Sequence, residues 1–401
     1  MYTVRRIKIG KSPQLDALAL ECGKLYSETV VCFWRTVRRK GIWLKPSSMM
    51  RWLNSDKLHA HTADACVQSF FASLKSWRAR HKTDQDAKPP RRLRKFFRVE
   101  YKNTAIRLRD GKLILSNGRG NAPLILDWPF ETPRALVIRW QDEQYEAIAT
   151  YTAEKIAAPI GNKTVGVDLG EVHMAVAHDG ENCTILNGRK LRSVRQYQNK
   201  LNAKLSSMID TKKHDSKRRQ RLVKSKRKQL RKLNNQIRDI LHKQTSTFVS
   251  TLHREGVQTV VIGDVRDIRK GLDYGRKANQ KIHQMISGKT RFMLTYKCEC
   301  LGMSVVLQEE SYTTQTCPAC GNRKKPMGRE YVCGCGFRYH RDGLGAYNIR
   351  SKYLGCVPVV GPMARPIGIR YQPHSDVARA GRTARETAAI NVCGVSSSSL
   401  A

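Results

Sequence analysis

Residues 317–336, CPACGNRKKPMGREYVCGCG, carry four cysteines as Cys-x2-Cys and, twelve residues later, Cys-x-Cys. Paired thiolates at this spacing match the four-sulfur shell of a tetrahedral Zn2+, and Gly321, Gly334 and Gly336 suit the tight turns that bring each pair together. So short a segment cannot bury a core of its own. A ribbon closed by Cys317, Cys320, Cys333 and Cys335 is therefore expected to need its one structural Zn2+ in order to fold.

The charge balance points to a partner. Against 33 Asp and Glu stand 74 Lys and Arg, a formal net charge of +41 spread over many segments, so a polyanion is expected. No apolar run approaches the ~18 residues of a membrane span, and MYTVRRIKIG lacks the apolar core of a signal peptide, so an intracellular, cytoplasmic protein without a membrane partner is expected. The cysteines outside the ribbon, such as Cys22, Cys32 and Cys66, fall in apolar helical patterns and read as buried reduced thiols.

Along the chain, YTVRRIKIG reads as a first strand, and Ser12 followed by Pro13 reads as a helix cap and first turn. Val67, Phe70, Phe71, Leu74 and Trp77 recur at helical spacing, so residues 11–89 read as a helical unit. Strand alternation then takes over, with Asp110-Gly111 at a hairpin turn. The helical unit thus reads as an insertion into a β-barrel formed by residues 1–10 and 90–155. Three short strands follow, then a basic helical hairpin over residues 189–252. In its second arm Val223, Leu230, Leu233, Ile237 and Ile240 form a seam, while twelve of the 21 residues 212–232 are Lys or Arg. That surface reads either as a solvated coiled-coil face or as a nucleic-acid contact through Arg218, Arg219, Arg221, Lys224, Arg227, Lys228 and Arg231. Next come the strand VQTVVIGDV, a basic loop over 266–281, a helix, the strand MSVVLQEE and a last helix in RDGLGAYNIRSKYL. Residues 355–401 read as a tail of little order.

Asp168 is the only charge in the strand TVGVDLG, and a lone buried acid is costly enough to demand a cation partner. Asp342 opens the last helix, where it reads either as a cap or as a functional acid. In order, GVDLG, the basic helices, the apolar strand, YTTQTCPACG and RDGLGAYNI resemble the RuvC-type nucleases of the TnpB family, transposon-encoded relatives of the type V CRISPR effectors.

That resemblance implies an α+β multidomain protein: the N-terminal barrel would be a wedge, residues 11–89 a recognition insertion, and residues 156–316 and 337–354 an RNase H-like nuclease domain interrupted by the ribbon. It implies two Mg2+ ions held by two aspartates and a glutamate, and a guide RNA that pairs with double-stranded target DNA beside a short flanking motif. The family's commonest glutamate position falls on Gly263. Asp264 follows it, but strand alternation turns it to the other face. In a subset of the family and in its eukaryotic Fanzor relatives the glutamate lies two residues before the tyrosine of QEESYTTQTC, which here is Glu310, leaving Glu309 as a solvated or structural acid. The implied site is thus Asp168, Glu310 and Asp342. Trp77, Arg78 and Arg80 are implied nucleic-acid contacts, with Trp77 also readable as core. The implied activity is RNA-guided DNA cleavage in a prokaryotic cell, at the nucleoid. Gly263 keeps open a nuclease-inactive guided repressor, and a transposase accessory role is the third reading.

Overall fold

The computed structural model describes residues 2–93, 95–141, 144–152, 160–265, 273, 275, 279–280, 282, 285–355 and 363–371. Most of the basic loop at 266–281, and the tail beyond 371, lie outside the described residues. The chain divides into two compact units, Met1–Ala153 and Glu154–Ala401.

In the first unit β1 (Tyr2–Ile9) is followed by α1 (Pro13–Lys40), α2 (Pro46–Trp52) and α3 (Ala60–His81). Ser12 caps α1 by accepting from the Leu15 backbone N–H, and Gly41, at φ 68°, ends it in the left-handed conformation that glycine adopts without steric cost. The strands after α3 are β2 (Val99–Lys102), β3 (Ile106–Arg109), β4 (Lys112–Leu115), β5 (Leu124–Asp127), β6 (Ala135–Gln141) and β7 (Gln144–Thr152). Asp110 and Gly111, both at positive φ, turn β3 into β4 as the sequence predicts.

The expected barrel is not what the ladders show among the described residues. They form an antiparallel sheet β1-β7-β6-β2 and a separate antiparallel sheet β3-β4-β5. A 3-10 turn at Asn103–Ala105 ends β2 before its ladder can continue into β3. Buried residues of α1 and α3, among them Phe33 and Phe70, join the inner faces of both sheets in one core.

The second unit is organised by one sheet of six strands. Its elements are β8 (Lys163–Asp168), β9 (His173–His178), β10 (Cys183–Asn187), α4 (Arg189–Asp210), α5 (Lys217–Arg254), β11 (Val257–Gly263), α6 (Ser287–Cys300), β12 (Ser304–Gln308), β13 (Glu330–Val332), β14 (Arg338–His340), α7 (Arg341–Leu354) and β15 (Ile367–Ile369). The sheet order is β12-β11-β8-β9-β10-β15. A meander of β8, β9 and β10 comes first, and then β11 and β12 add in parallel beyond β8. Parallel strands require crossovers, and the helices between β10 and β12 provide them. Residues 363–371, expected in a tail of little order, instead place β15 in parallel register on β10.

Alternation along β8 sends its residues to opposite faces. Val165 and Val167 pack with α4, α5 and α6 in one core. Gly166 and Asp168 face α7, which approaches so closely that a side chain on Gly166 would collide with the Ala346 carbonyl. None of the described helices is long and apolar enough to cross a membrane.

Candidate metal and carboxylate sites

The cysteine cluster is assembled locally. Sγ of Cys317 lies 3.7 Å from that of Cys335, and Sγ of Cys320 lies 3.5 Å from that of Cys333. All four ligand atoms fall within 4.8 Å of one another. Tetrahedral Zn–S bonds of about 2.3 Å place sulfurs roughly 3.8 Å apart, so the four thiols could hold one Zn2+. A hydrogen bond from the Cys335 backbone N–H brings the Cys333 thiol down to about 6, while burial pushes the Cys317 thiol up to about 12. The paired strands β13 and β14 support the cluster, with Tyr331 buried beneath it.

The carboxylates are drawn from three places. Asp168 ends β8 and Asp342 sits in the first turn of α7. Glu310 follows β12, and its side chain lies over Gly263, the last residue of β11. A methyl group placed on Gly263 would stand 2.5 Å from Glu310 Oε2. Glu310 therefore fills the space that a side chain at 263 would occupy. On the α7 side, a methyl group on Gly345 would stand 2.8 Å from Asp168 Oδ2, so Gly345 leaves room for that carboxylate.

Of the three acids, Asp168 is the one that feels the charge of both others. Burial, and then the charges of Glu310 and Asp342, push the Asp168 carboxyl up to about 8, against a smaller pull from Arg341. Burial, with Asp264 and Glu309 nearby, pushes Glu310 up to about 7. At Asp342 burial opposes ionisation, but the hydrogen bond with His173 and the charge of Arg341 outweigh it and hold the carboxyl down at about 2.

Several participants were missed by sequence reasoning. His173 Nδ1 lies 2.8 Å from Asp342 Oδ2, and Arg341 Nε donates to Asp342 Oδ1 at 3.1 Å. His340 caps α7 through Gly343 N–H and joins His173 and Asp342 in a second group of ligand atoms within 4.8 Å. Arg341 was discernible as the middle residue of HRD. His173 stands alone at a strand start and gave no signal. The two alternative acids are engaged elsewhere: Asp264 with Arg291 at 3.2 Å, and the exposed Glu309 with Lys352 at 3.0 Å.

The basic candidates lie apart from the acids in sequence. Arg218, Arg219, Arg221, Lys224, Arg227, Lys228 and Arg231 stand on the first half of α5, where only Arg219 and Arg231 are partly covered. Leu233, Ile237 and Ile240 of the predicted seam are buried, whereas Val223 and Leu230 are only half-buried. In the first unit Trp77 is half-buried, donates from Nε1 to the Ala87 carbonyl and stacks on His81. Arg80 pairs with Asp84, and Arg78 lies 4.8 Å from the centre of the Trp43 ring.

Two family profiles match the second unit and the strand before it. "Probable transposase" covers residues 147–269, a span that includes Asp168 and Gly263. "Cas12f1-like, TNB domain" covers residues 288–349, which includes Glu310, the four cysteines and Asp342. TnpB-like protein MJ1635 of Methanocaldococcus jannaschii is 22% identical over 87% of this chain and 84% of its own length. The chain is similar to TnpB-like proteins along most of its length.

Another TnpB-like protein, ORF457 of Acidianus two-tailed virus, is 27% identical over 53% of this chain, a match that spans only 46% of the viral protein. Among solved structures, Cas12f1 in complex with sgRNA and target DNA aligns with a TM-score of 0.58 at 10% identity, covering 84% of this chain and 81% of that one. At that identity the likeness is one of fold. This chain shares the mixed α/β architecture of that effector.

Proposed function

We propose that this chain is an RNA-guided DNA endonuclease that cuts target DNA beside a short flanking motif, with Asp168, Glu310 and Asp342 as its catalytic acids. The observation that carries the reading is the Glu310 carboxylate over Gly263, close enough to Asp168 to raise its proton affinity. An acid absent from one strand end has been replaced by one reaching over it from the neighbouring strand. The order of the sheet, a three-strand meander extended in parallel beyond its first strand, supports an RNase H-like reading of the fold.

The residues fit divalent cations. Asp168 is buried and faces the like charges of Glu310 and Asp342, against a smaller pull from Arg341, so its ionised form is held back until positive charge arrives. Two Mg2+ ions held by Asp168, Glu310 and Asp342 would activate a water and stabilise the leaving oxygen of an in-line displacement. His173 and Arg341 hold the Asp342 carboxylate ionised and fixed in orientation. The exposed cations of α5 would carry phosphate contacts to the guide RNA or the guide–target duplex, and Trp77, Arg78 and Arg80 would serve the recognition unit. The +41 charge fits two nucleic-acid partners. This reading places the protein with DNA in a prokaryotic cell.

The test is a guided complex purified with its own RNA and assayed on target DNA in Mg2+. Glu310→Ala should lower cleavage by at least about 10³-fold, the scale of an essential charge-stabilising group, with target binding unchanged. Glu309→Ala should cut like wild type. Normal cutting by Glu310→Ala removes the assignment. Guided binding by the wild type without any cutting would favour the repressor that Gly263 keeps open.

A further inference from the structure

Beside the loop that follows Asp168 lies a cavity of about 520 Å³ that the carboxylates leave unused. It lies on the α4 side of the sheet, opposite α7. One wall is a stripe of α4 in which Arg192, Arg195, Gln196, Asn199, Lys200 and Ala203 recur at helical spacing. The floor is apolar, with Met174 from β9, Leu191 from α4 and Ile286 at the start of α6. The size suits a small ligand, and the wall combines cations, amides and apolar surface as a nucleotide does phosphate, base edge and base face.

Position narrows the class. Gly170 and Glu171 form part of the rim, and Gly170 is two Cα steps of about 3.8 Å each, so within about 8 Å, from Asp168. The one acid of the rim, Glu171, is matched by Arg192 Nε at 2.9 Å, so it does not repel a phosphate as a free carboxylate would. Gly188, at the start of α4, also lines the cavity, where the Val172 and Glu171 carbonyls pack against it.

The geometry points to a nucleotide subsite: the cavity receives one nucleotide of the DNA strand being cut, adjacent to the phosphate held at the carboxylates. This rests on the endonuclease reading. A strand with its phosphate at Asp168 crosses the end of β8, and the next base enters between the apolar floor and the Gln196 and Asn199 amides. Arg195 and Lys200 then face its flanking phosphates.

The experiment uses the full chain with its guide RNA, in Ca2+ to hold off cutting. Target DNA carries 2-aminopurine at successive positions of the cut strand, and parallel samples carry it in the guide RNA. One DNA position near the cut should change fluorescence severalfold, and Ala203→Trp, an exposed helix position that fills the cavity, should abolish that change. Asn199→Leu should weaken it without altering the fold. In Mg2+ both variants should cut at least tenfold more slowly with guided target binding unchanged. A signal unaffected by either variant, or one from the guide RNA instead, overturns the subsite. Cutting by the wild type with no DNA signal also overturns it while the endonuclease reading stands. A variant-sensitive DNA signal without any cutting removes the endonuclease reading, and with it the cut strand as occupant, and retains the cavity as a DNA-nucleotide site.

Discussion

The cysteine cluster and the carboxylate cluster both crowd like charges, yet they are built in opposite ways. Cys317 and Cys335 are 18 positions apart, on a ribbon whose two strands have three residues each. The acids stand on a six-stranded sheet, and His173 reaches Asp342 across 169 positions. The ribbon's Tyr331, Tyr339, Cys317 and Cys333 share one small cluster with Val176, Ile185, Leu344 and Ala346, so a metal held by the thiols would supply much of its stability. The sheet has a full apolar core of its own beneath the strands that carry the acids. One site rests on a short local ribbon, the other on a sheet with its own core.

The largest effect should come from breaking the first half of that contrast. Structural zinc sites contribute on the order of 10 kcal/mol, so Cys333→Ser should cost zinc, soluble yield and protease resistance across residues 317–336. Zinc content per chain and limited proteolysis measure this. The core around Phe248 and Val260 should stay folded, as read by circular dichroism, and its collapse on zinc removal would erase the distinction between the two clusters.

The second half predicts that the carboxylate site costs stability when empty. The folded Asp168 carboxyl titrates near 8, above its ordinary value of 3.8. Below pH 4 it is protonated in both states and contributes nothing. As pH rises from 4 to 8 the unfolded chain ionises freely and the folded chain does not, so stability falls, and above 8 the loss is complete. At about 1.4 kcal/mol per unit this is on the order of 5 kcal/mol. Asp168→Asn should therefore raise the melting temperature by several degrees at pH 8 and hardly at all at pH 4, and Mg2+ should stabilise the wild type more than the variant. A gain that does not grow with pH would mean that the acid is not strained by its neighbours.

What was legible in the sequence follows the same division. The cysteines were readable because their geometry is encoded in spacing, and Ser12, Pro13 and Asp110-Gly111 were readable because caps and turns are local. The separation of the first unit's strands into two sheets was not, since a three-residue turn at 103–105 decides it and alternation says nothing about which ladder a strand joins. β15 was missed because three residues, Ile367–Ile369, carry too little pattern, and their register comes from β10. Asp168 stood out as a charge in an apolar strand, and Gly263 as a gap. His173 could not be found, because its role depends on an acid brought to it by the fold.

The smallest effect tests how Glu310 and Gly263 depend on each other. In Gly263→Ala the added methyl would stand 2.5 Å from Glu310 Oε2 and 2.9 Å from Ile349 Cδ1, tighter than ordinary contacts allow. Overpacking of this kind costs about 1–3 kcal/mol, and here the movable partner is the carboxylate. Cutting should therefore fall further than stability. On a Glu310→Ala background the same methyl meets no carboxylate, so its stability cost should shrink to what Ile349 imposes. A double-mutant cycle in melting temperature reads the difference, because residues in direct contact couple by 0.5–3 kcal/mol. Equal cost on both backgrounds would mean that Gly263 is small for the sake of α7 alone, and that the acid above it arrived independently.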